Sequence, residues 1–270
     1  MRLYAKYYLV AIIFGVLQVL YYFRVGNKML FSELIFISSF YKPDFFMPVA
    51  IDMFLDYIPF FIMQILFGTY LYRHFCSGSI YYFSRCKSRV RWFLEEAVKL
   101  YGYIILYILA MLLSRIIFCE LSFGINYNPG SLNLFIDFFV IYSLWLFITT
   151  LLINLIAIGI GSQNSVVIMS GIQGILIFLI QIFDKLLPFD HNPNLYGKLL
   201  QINPMSHLVM SWHSSKIDMV NNIGNVLGIS FPFSKTILYF GMSSIILIFI
   251  GGMIIKRTQF IVVNKETGGV

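Results

Sequence analysis

The chain has 270 residues, of which 59% are apolar, 18% aromatic and only 11% charged, and it carries a net charge of +7. Soluble domains contain about 25% charged residues, so this composition excludes a free-standing soluble protein. A secreted disulfide scaffold is excluded as well. The three cysteines form no CxxC pair and have no histidines at metal-ligand spacing, so the sequence predicts no redox centre and no metal site.

Six apolar runs are long enough to be membrane spans, since a helix needs about 20 apolar residues to cross the hydrocarbon core. These runs are continuously apolar, which indicates helices and not the alternating strands of a β-barrel. The sequence therefore predicts an all-α, polytopic integral membrane protein, with residues 1–270 forming a single transmembrane domain. The six predicted spans cover residues 7–23, 54–72, 100–118, 134–158, 166–183 and 236–255.

The basic residues predict how the spans are oriented, because cytoplasmic loops are enriched in lysine and arginine. With the N-terminus inside, the inner segments hold 11 of the 19 basic residues and a net charge of +8, against −1 outside. Both termini are therefore predicted to be cytoplasmic. The positive charge is explained by topology, so it indicates no nucleic-acid partner. The outer segments 24–53 and 184–235 are expected to form short interfacial or re-entrant helices, and residues 161–165 a tight inner turn.

The inner segment between the second and third spans, residues 73–99, combines aromatic residues with four cations within seven positions. Arg91, Glu95 and Lys99 follow one another at i,i+4 spacing with opposite charges, which favours a helix. We expect a short amphipathic helix here, with Gly78 as a break before it. Such a helix has two possible roles: binding anionic lipid at the membrane surface, or docking on a cytoplasmic protein.

Two motifs give the chain a resemblance to a known family. The phrase YFSRCKSRVRWFLEEAVKL, residues 82–100, is similar to a basic run with a tryptophan that leads into the third span of such proteins. The phrase NPMSHLVMSW, residues 203–212, is similar to an outer segment that starts with Asn-Pro and re-enters the bilayer. With six spans and both ends inside, the chain resembles the permease subunit of type-2 ATP-binding-cassette exporters.

This resemblance implies partners and a mechanism. Such permeases pair as homodimers or heterodimers, and each recruits an ATP-binding-cassette ATPase through a coupling helix between spans two and three. ATP and Mg²⁺ are bound by that ATPase, and this chain, which has no GxxxxGK[ST] loop, needs no cofactor of its own. The residues that the resemblance assigns to the ATPase contact are Tyr82, Arg85, Lys87, Arg89, Arg91, Trp92, Glu95 and Glu96.

Several residues within the spans are candidates for function. Arg115 and Asp137 lie near the outer ends of consecutive spans and are predicted to pair, either as a structural ion pair or in contact with substrate. His207 and His213 are six positions apart, so a helix would place them on opposite sides and only a non-helical backbone would bring them together. The candidates for lining a substrate cavity, for which core packing is the alternative role, are Tyr57, Phe138, Phe139, Trp145 and Gln173.

The sequence favours a permease subunit of an ATP-driven exporter in the bacterial cytoplasmic membrane, without enzymatic activity of its own. The apolar spans fit a hydrophobic or amphipathic cargo, such as a bacteriocin-like peptide handled for export or immunity. One alternative is a membrane scaffold or immunity protein that transports nothing. Another is an intramembrane glutamyl protease, because Glu95 and Glu96 resemble the paired glutamates of an EExxxR helix. Lys99 is too close for that motif, and His207 and His213 are predicted on the other side of the membrane.

Overall fold

The computed structural model of the chain describes residues 2–22, 28–36, 39, 46–78, 88–186, 193–223 and 231–258. It is 85% helical. Two-residue strands β1 (Met29–Leu30) and β2 (Ile125–Asn126) pair in parallel, which the sequence did not predict. Two 3₁₀ turns, Ser206–Leu208 and Met210–Trp212, follow the eighth α-helix. The α-helices are α1 Arg2–Tyr22, α2 Phe31–Phe36, α3 Phe46–Phe67, α4 Tyr70–Gly78, α5 Arg89–Ser122, α6 Ser131–Ile160, α7 Ser162–Leu186, α8 Pro193–Ile202, α9 Asp218–Asn221 and α10 Phe233–Arg257.

Four of the described helices are long and apolar enough to cross a membrane: α5, α6, α10 and the Ser162–Ile180 part of α7. They correspond to the predicted third to sixth spans, and α1 contains a shorter apolar stretch, Lys6–Tyr21, at the first. The chain is thus a mostly helical protein with the character of an all-α membrane protein. Each of the four helices extends past its predicted bounds, because helical hydrogen bonding continues after the apolar run ends.

The second predicted span, residues 54–72, is interrupted in the structure. Helix α3 ends at Phe67, and α4 starts at Tyr70 after a turn. A Cβ on Gly68 would overlap the Gln64 carbonyl and come within 2.9 Å of the Ile153 side chain, so α6 passes too close for a larger residue. Asn154 of α6 stabilises the break, since its amide nitrogen donates to the Phe67 carbonyl at 3.2 Å. Its amide oxygen accepts from the Tyr72 backbone N–H at 3.1 Å.

Cross-helix contacts place both ends of the described chain at one end of the bundle. Near the start of α1, the Tyr7 ring lies 5.2 Å from the Phe67 ring at the end of α3. Arg89, at the start of α5, donates to the carbonyl of Thr258, which follows α10. This end also carries a group of lysines and arginines, and we call it the basic end; they are Lys6, Arg73, Arg89, Arg91, Lys99, Lys256 and Arg257.

The opposite end contains the short elements expected in the long outer segment. The amide nitrogen of Asn203 donates to the Leu176 carbonyl at 2.7 Å, and the Tyr142 hydroxyl donates to the Leu208 carbonyl at 2.9 Å. Leu176 lies ten residues before the end of α7, which is about 15 Å along the helix axis. Residues 203–212 therefore fold back into the bundle beside α6 and α7.

The connection between α6 and α7 is shorter than predicted. A tight turn was expected over residues 161–165, but Gly161 alone separates the two helices. Its φ of 91° is in a region that favours glycine, and α7 starts at the next residue. The polar residues of the predicted turn belong instead to the first helical turn of α7.

Candidate functional site at the basic end

Glu96 is the centre of a polar cluster that joins α4 to α5. Although it carries a carboxylate, Glu96 is only 5% exposed. It accepts hydrogen bonds from the Tyr70 hydroxyl at 2.8 Å and the Lys99 ammonium at 2.6 Å. The Nδ1 atom of His74 lies 3.2 Å from the same carboxylate. Because a buried carboxylate requires such partners, the cluster fixes α4 against the first turns of α5.

A second contact joins the start of α5 to the end of α10. The Arg89 guanidinium donates to the Thr258 carbonyl at 3.1 Å. Ser88 caps α5, and its hydroxyl accepts from the Arg91 backbone N–H at 3.3 Å. The Arg91 side chain is 83% exposed and pairs with Glu95 at 3.0 Å. Arg89 is thus tied to the bundle, while Arg91 projects away from it.

The residues predicted to contact an ATPase are only partly described. Tyr82, Arg85 and Lys87 lie outside the described residues. The other five occupy the first two turns of α5: Arg89, Arg91, Trp92, Glu95 and Glu96. Gly78 is the last residue of α4, an amphipathic helix whose Leu71, Tyr72 and Phe75 are buried while Arg73 and His74 are exposed. The short amphipathic helix expected after Gly78 falls mainly on residues 79–87, outside the described residues.

Three of the five predicted cavity residues meet in the middle of the bundle, where they form a hydrogen-bonded core. The Tyr57 hydroxyl accepts from Trp145 Nε1 and from Gln64 Nε2, each at 2.8 Å. Gln64 also donates to the Thr149 hydroxyl at 3.0 Å, and Gln173 donates to the Gln64 amide oxygen at 3.1 Å. The five side chains of this network are buried and link α3, α6 and α7 within one chain; they are Tyr57, Gln64, Trp145, Thr149 and Gln173.

Gln64, the centre of this core, was missed by the sequence analysis. A lone amide within an apolar span was the signal that could have identified it. The two remaining cavity candidates belong to aromatic packing on α6. Phe138 is buried and stacks on Tyr142 with ring centroids 4.1 Å apart, and Phe139 is half-buried against the core.

The predicted pairing of Arg115 with Asp137 is wrong in the described structure. Arg115 is 1% exposed, and its guanidinium donates to the Leu34 carbonyl at 2.8 Å and to the Gln18 amide oxygen. The carboxylate that acts on it electrostatically is Asp56. Arg115 lies on the face of α5 that packs against α1, whereas Asp137 makes no ion pair with it in the described part of the chain.

His207 and His213 do come together, at the end opposite to Glu96. The intervening backbone forms 3₁₀ turns, which bring both rings to the hydroxyl of Thr236 in α10. Thr236 and Thr258 are 22 residues apart along α10, or about 33 Å, and Thr258 is the one bonded to the start of α5, the helix that carries Glu96. His207 and His213 therefore lie too far from Glu96 to share a catalytic site with it. The histidine beside Glu96 is His74. The structure therefore does not bring Glu96 together with His207 and His213, as the glutamyl protease alternative requires.

No cluster of three or more metal-ligating side chains occurs among the described residues. Comparison of the chain with protein-family models, with curated proteins and with solved structures gave no match. Functional inference therefore depends on the geometry of the basic end and of the bundle.

Proposed function

We propose that the chain is the membrane-spanning permease subunit of an ATP-driven exporter, and that a separate ATP-binding-cassette ATPase docks on the basic end. The observation that supports this proposal is that the start of α5 is bonded to two other helices. Residues 85–91, which we call the basic segment, end in the first turn of α5. Two polar contacts in the first turns of this helix connect it to α4 through Glu96 and to α10 through Arg89. A displacement applied there acts on three helices at once.

The length of α5 supports the same proposal. Its 34 residues extend about 51 Å, compared with a hydrocarbon core of about 30 Å. About 20 Å of the helix must therefore lie outside the core, enough for the turns that carry Arg89, Arg91 and Glu95. A partner that moves these turns moves the membrane-spanning part of the same rigid helix.

The two arginines then have different roles. Arg91 is exposed and is available to an acidic surface of the ATPase, and its intrahelical pairing with Glu95 is a weak surface interaction that a partner can replace. Arg89 transmits movement to α10. The basic end faces the cytoplasm in this proposal, in agreement with the distribution of lysine and arginine.

The cargo path is assigned to the interface between two permease copies, as a homodimer or with a paralogue. The core of one chain is filled by the side chains around Gln64, whereas α7 exposes large apolar residues, among them Ile172, Ile175 and Phe178. A path of this composition suits a hydrophobic or amphipathic cargo, such as a bacteriocin-like peptide.

The test is mild detergent extraction from the native membrane, followed by mass spectrometry of the proteins that co-purify. We expect a stoichiometric ATPase that is lost when Arg85, Lys87 and Arg91 are all replaced by alanine. The matched control replaces three exposed lysines away from the basic end with alanine, Lys198, Lys216 and Lys235, and it retains the ATPase.

Two results would overturn the proposal. If no ATPase accompanies the wild-type chain, a scaffold or immunity protein becomes the better explanation. If the ATPase persists in the triple alanine variant while binding to anionic lipid vesicles is lost, the basic segment contacts the membrane surface and not a protein.

A further inference from the structure

His207, His213 and Thr236 form a buried cluster with four contacts at hydrogen-bond distance. Two neutral imidazole rings and one hydroxyl group carry only three hydrogens for these contacts. The Thr236 hydroxyl lies 2.8 Å from His207 Nδ1 and 2.8 Å from His213 Nε2. The other nitrogen of each ring faces a backbone carbonyl: His207 Nε2 is 2.9 Å from the Gln201 oxygen, and His213 Nδ1 is 2.9 Å from the Val209 oxygen. Four nitrogen–oxygen contacts at hydrogen-bond distance therefore meet in one buried cluster.

Each of these four contacts needs one hydrogen. A carbonyl oxygen only accepts, so both rings must donate to their carbonyls, which leaves each neutral ring with a bare nitrogen facing Thr236. The single hydroxyl hydrogen of Thr236 can satisfy one of these nitrogens. Two neutral imidazoles and one hydroxyl thus supply three hydrogens for four contacts, and any choice of tautomers leaves one pair of lone pairs in contact.

We propose that His207, Thr236 and His213 form a proton-binding site, which holds one proton beyond those of two neutral imidazoles. With His213 as the imidazolium, both of its nitrogens donate, to Val209 and to Thr236. The Thr236 hydroxyl then donates to His207 Nδ1, and His207 Nε2 donates to Gln201. All four contacts are hydrogen bonds in this arrangement.

The aromatic surroundings favour the cation on His213. Its ring lies between Phe231 and Phe233, with centroids 4.5 and 4.6 Å away and interplanar angles of 17° and 9°. The electron-rich faces of two rings stabilise an imidazolium between them. Burial acts in the opposite direction and is the main cause that lowers the pKa of His207, and that of His213 to about 3. The fourth hydrogen bond and the two ring faces act against this burial cost.

Few other titratable groups face the cluster. The Tyr239 ring of α10 stacks on His207 at 4.6 Å, and the remaining ring neighbours of His207 are Phe231 and Phe240. No ion pair joins either histidine to a carboxylate in the described residues. Within the described part of the chain, the bound proton is therefore held by hydrogen bonds and aromatic rings.

The proton links three parts of the fold, because the four contacts connect the end of α8, residues 207–213 with their two 3₁₀ turns, and the start of α10. Loss of the proton leaves one contact without a hydrogen and weakens the attachment of residues 203–212 to α10. The stabilisation is present while the site is protonated and is lost as the pH rises through the pKa of the cluster.

The test is solid-state NMR of ¹⁵N-histidine in the full-length protein in lipid vesicles at pH 7. Replacing His74 and His191 with glutamine leaves only the two cluster rings in the spectrum. We expect one imidazolium, with both nitrogens protonated, and one neutral ring. Two neutral rings in this spectrum would overturn the proposal without any change to the cluster itself.

Two substitutions at Thr236 add a second criterion. Thr236→Val removes the shared hydroxyl, so each ring keeps its carbonyl contact without needing the extra proton. We expect both rings to be neutral at pH 7 and the proton affinity of the cluster to fall at least about tenfold, or one pH unit. Thr236→Ser retains the hydroxyl and the imidazolium. An imidazolium that persists in the valine variant would refute the role of the hydroxyl.

Discussion

Replacement of Glu96 by glutamine should destabilise the bundle far more than the same change at Glu95. A buried hydrogen bond to a charged group contributes about 1.5–3 kcal/mol, and a neutral one about 1 kcal/mol. In Glu96→Gln, the bond from the buried Tyr70 hydroxyl therefore loses about 1 kcal/mol. The bond from Lys99, whose side chain is 55% exposed, is worth about 0.5 kcal/mol after solvent screening and is lost. We expect a total loss of about 1.5 kcal/mol.

The control has the same chemistry and a neighbouring position. Glu95 is 52% exposed and forms an ion pair with Arg91 at i,i+4 spacing, an interaction of about 0.3–0.5 kcal/mol. The free energy of unfolding of both variants is measured by titrating SDS into mixed micelles and following helix content by circular dichroism. Equal losses in the two variants would refute the conclusion that Glu96 joins α4 to α5.

Three further substitutions test other contacts in the same unfolding assay. Gly68→Ala forces a methyl group against the Gln64 carbonyl and should cost at least about 2 kcal/mol. In the control Gly102→Ala, a Cβ meets nothing within 4 Å, so the change should be neutral or stabilising by up to about 1 kcal/mol. Similar values for the two variants would contradict the close packing at the break after Phe67. Tyr57→Phe removes the hydroxyl that accepts from Gln64 and Trp145, and it should cost about 2–4 kcal/mol and shift the tryptophan fluorescence. A loss below about 1 kcal/mol would argue against the buried network. Arg115→Met and Asp137→Asn should act additively, with a coupling energy under about 0.5 kcal/mol, and a larger coupling would restore the ion pair predicted from sequence.

The positions of the apolar helices could be predicted from the sequence because length and hydropathy decide which segments cross a membrane. The predicted span 134–158 lies within α6, Ser131–Ile160, and the other three long helices are placed equally well. Helix ends could not be predicted in this way. The first turns of α5 are charged, so the apolar run starts only after them, although they already belong to the hydrogen-bonded helix.

Features that depend on contacts between distant segments were not accessible to the sequence. The break after Phe67 is set by the approach of α6 to Gly68, and α6 is about 85 residues further along the chain. The partner of Arg115 is Gln18, 97 residues away, and sequence proximity suggested Asp137 instead. His207 and His213 needed a non-helical backbone to come together, and the 3₁₀ turns that supply it could not be predicted from their spacing.

Tyr57, Trp145 and Gln173 were selected together from the sequence, and the structure brings them into one network with Gln64. Their common feature is a polar group on the inner side of an apolar helix, which a sequence pattern can indicate. Whether such groups face an open space or one another depends on how closely the helices approach. That distance is determined by packing and is not encoded in any single span.

The single-residue connection at Gly161 fixes the rotation of α7 about its own axis. An α-helix turns by about 100° per residue, so one residue added to or removed from the first turn of α7, with the connection unchanged, would rotate every later side chain of α7 by that angle relative to α6. Gln173 lies twelve positions after Gly161 and reaches Gln64 only at the present rotation. The angular register of the buried network is therefore set at the surface of the bundle, by a residue that contacts none of its members.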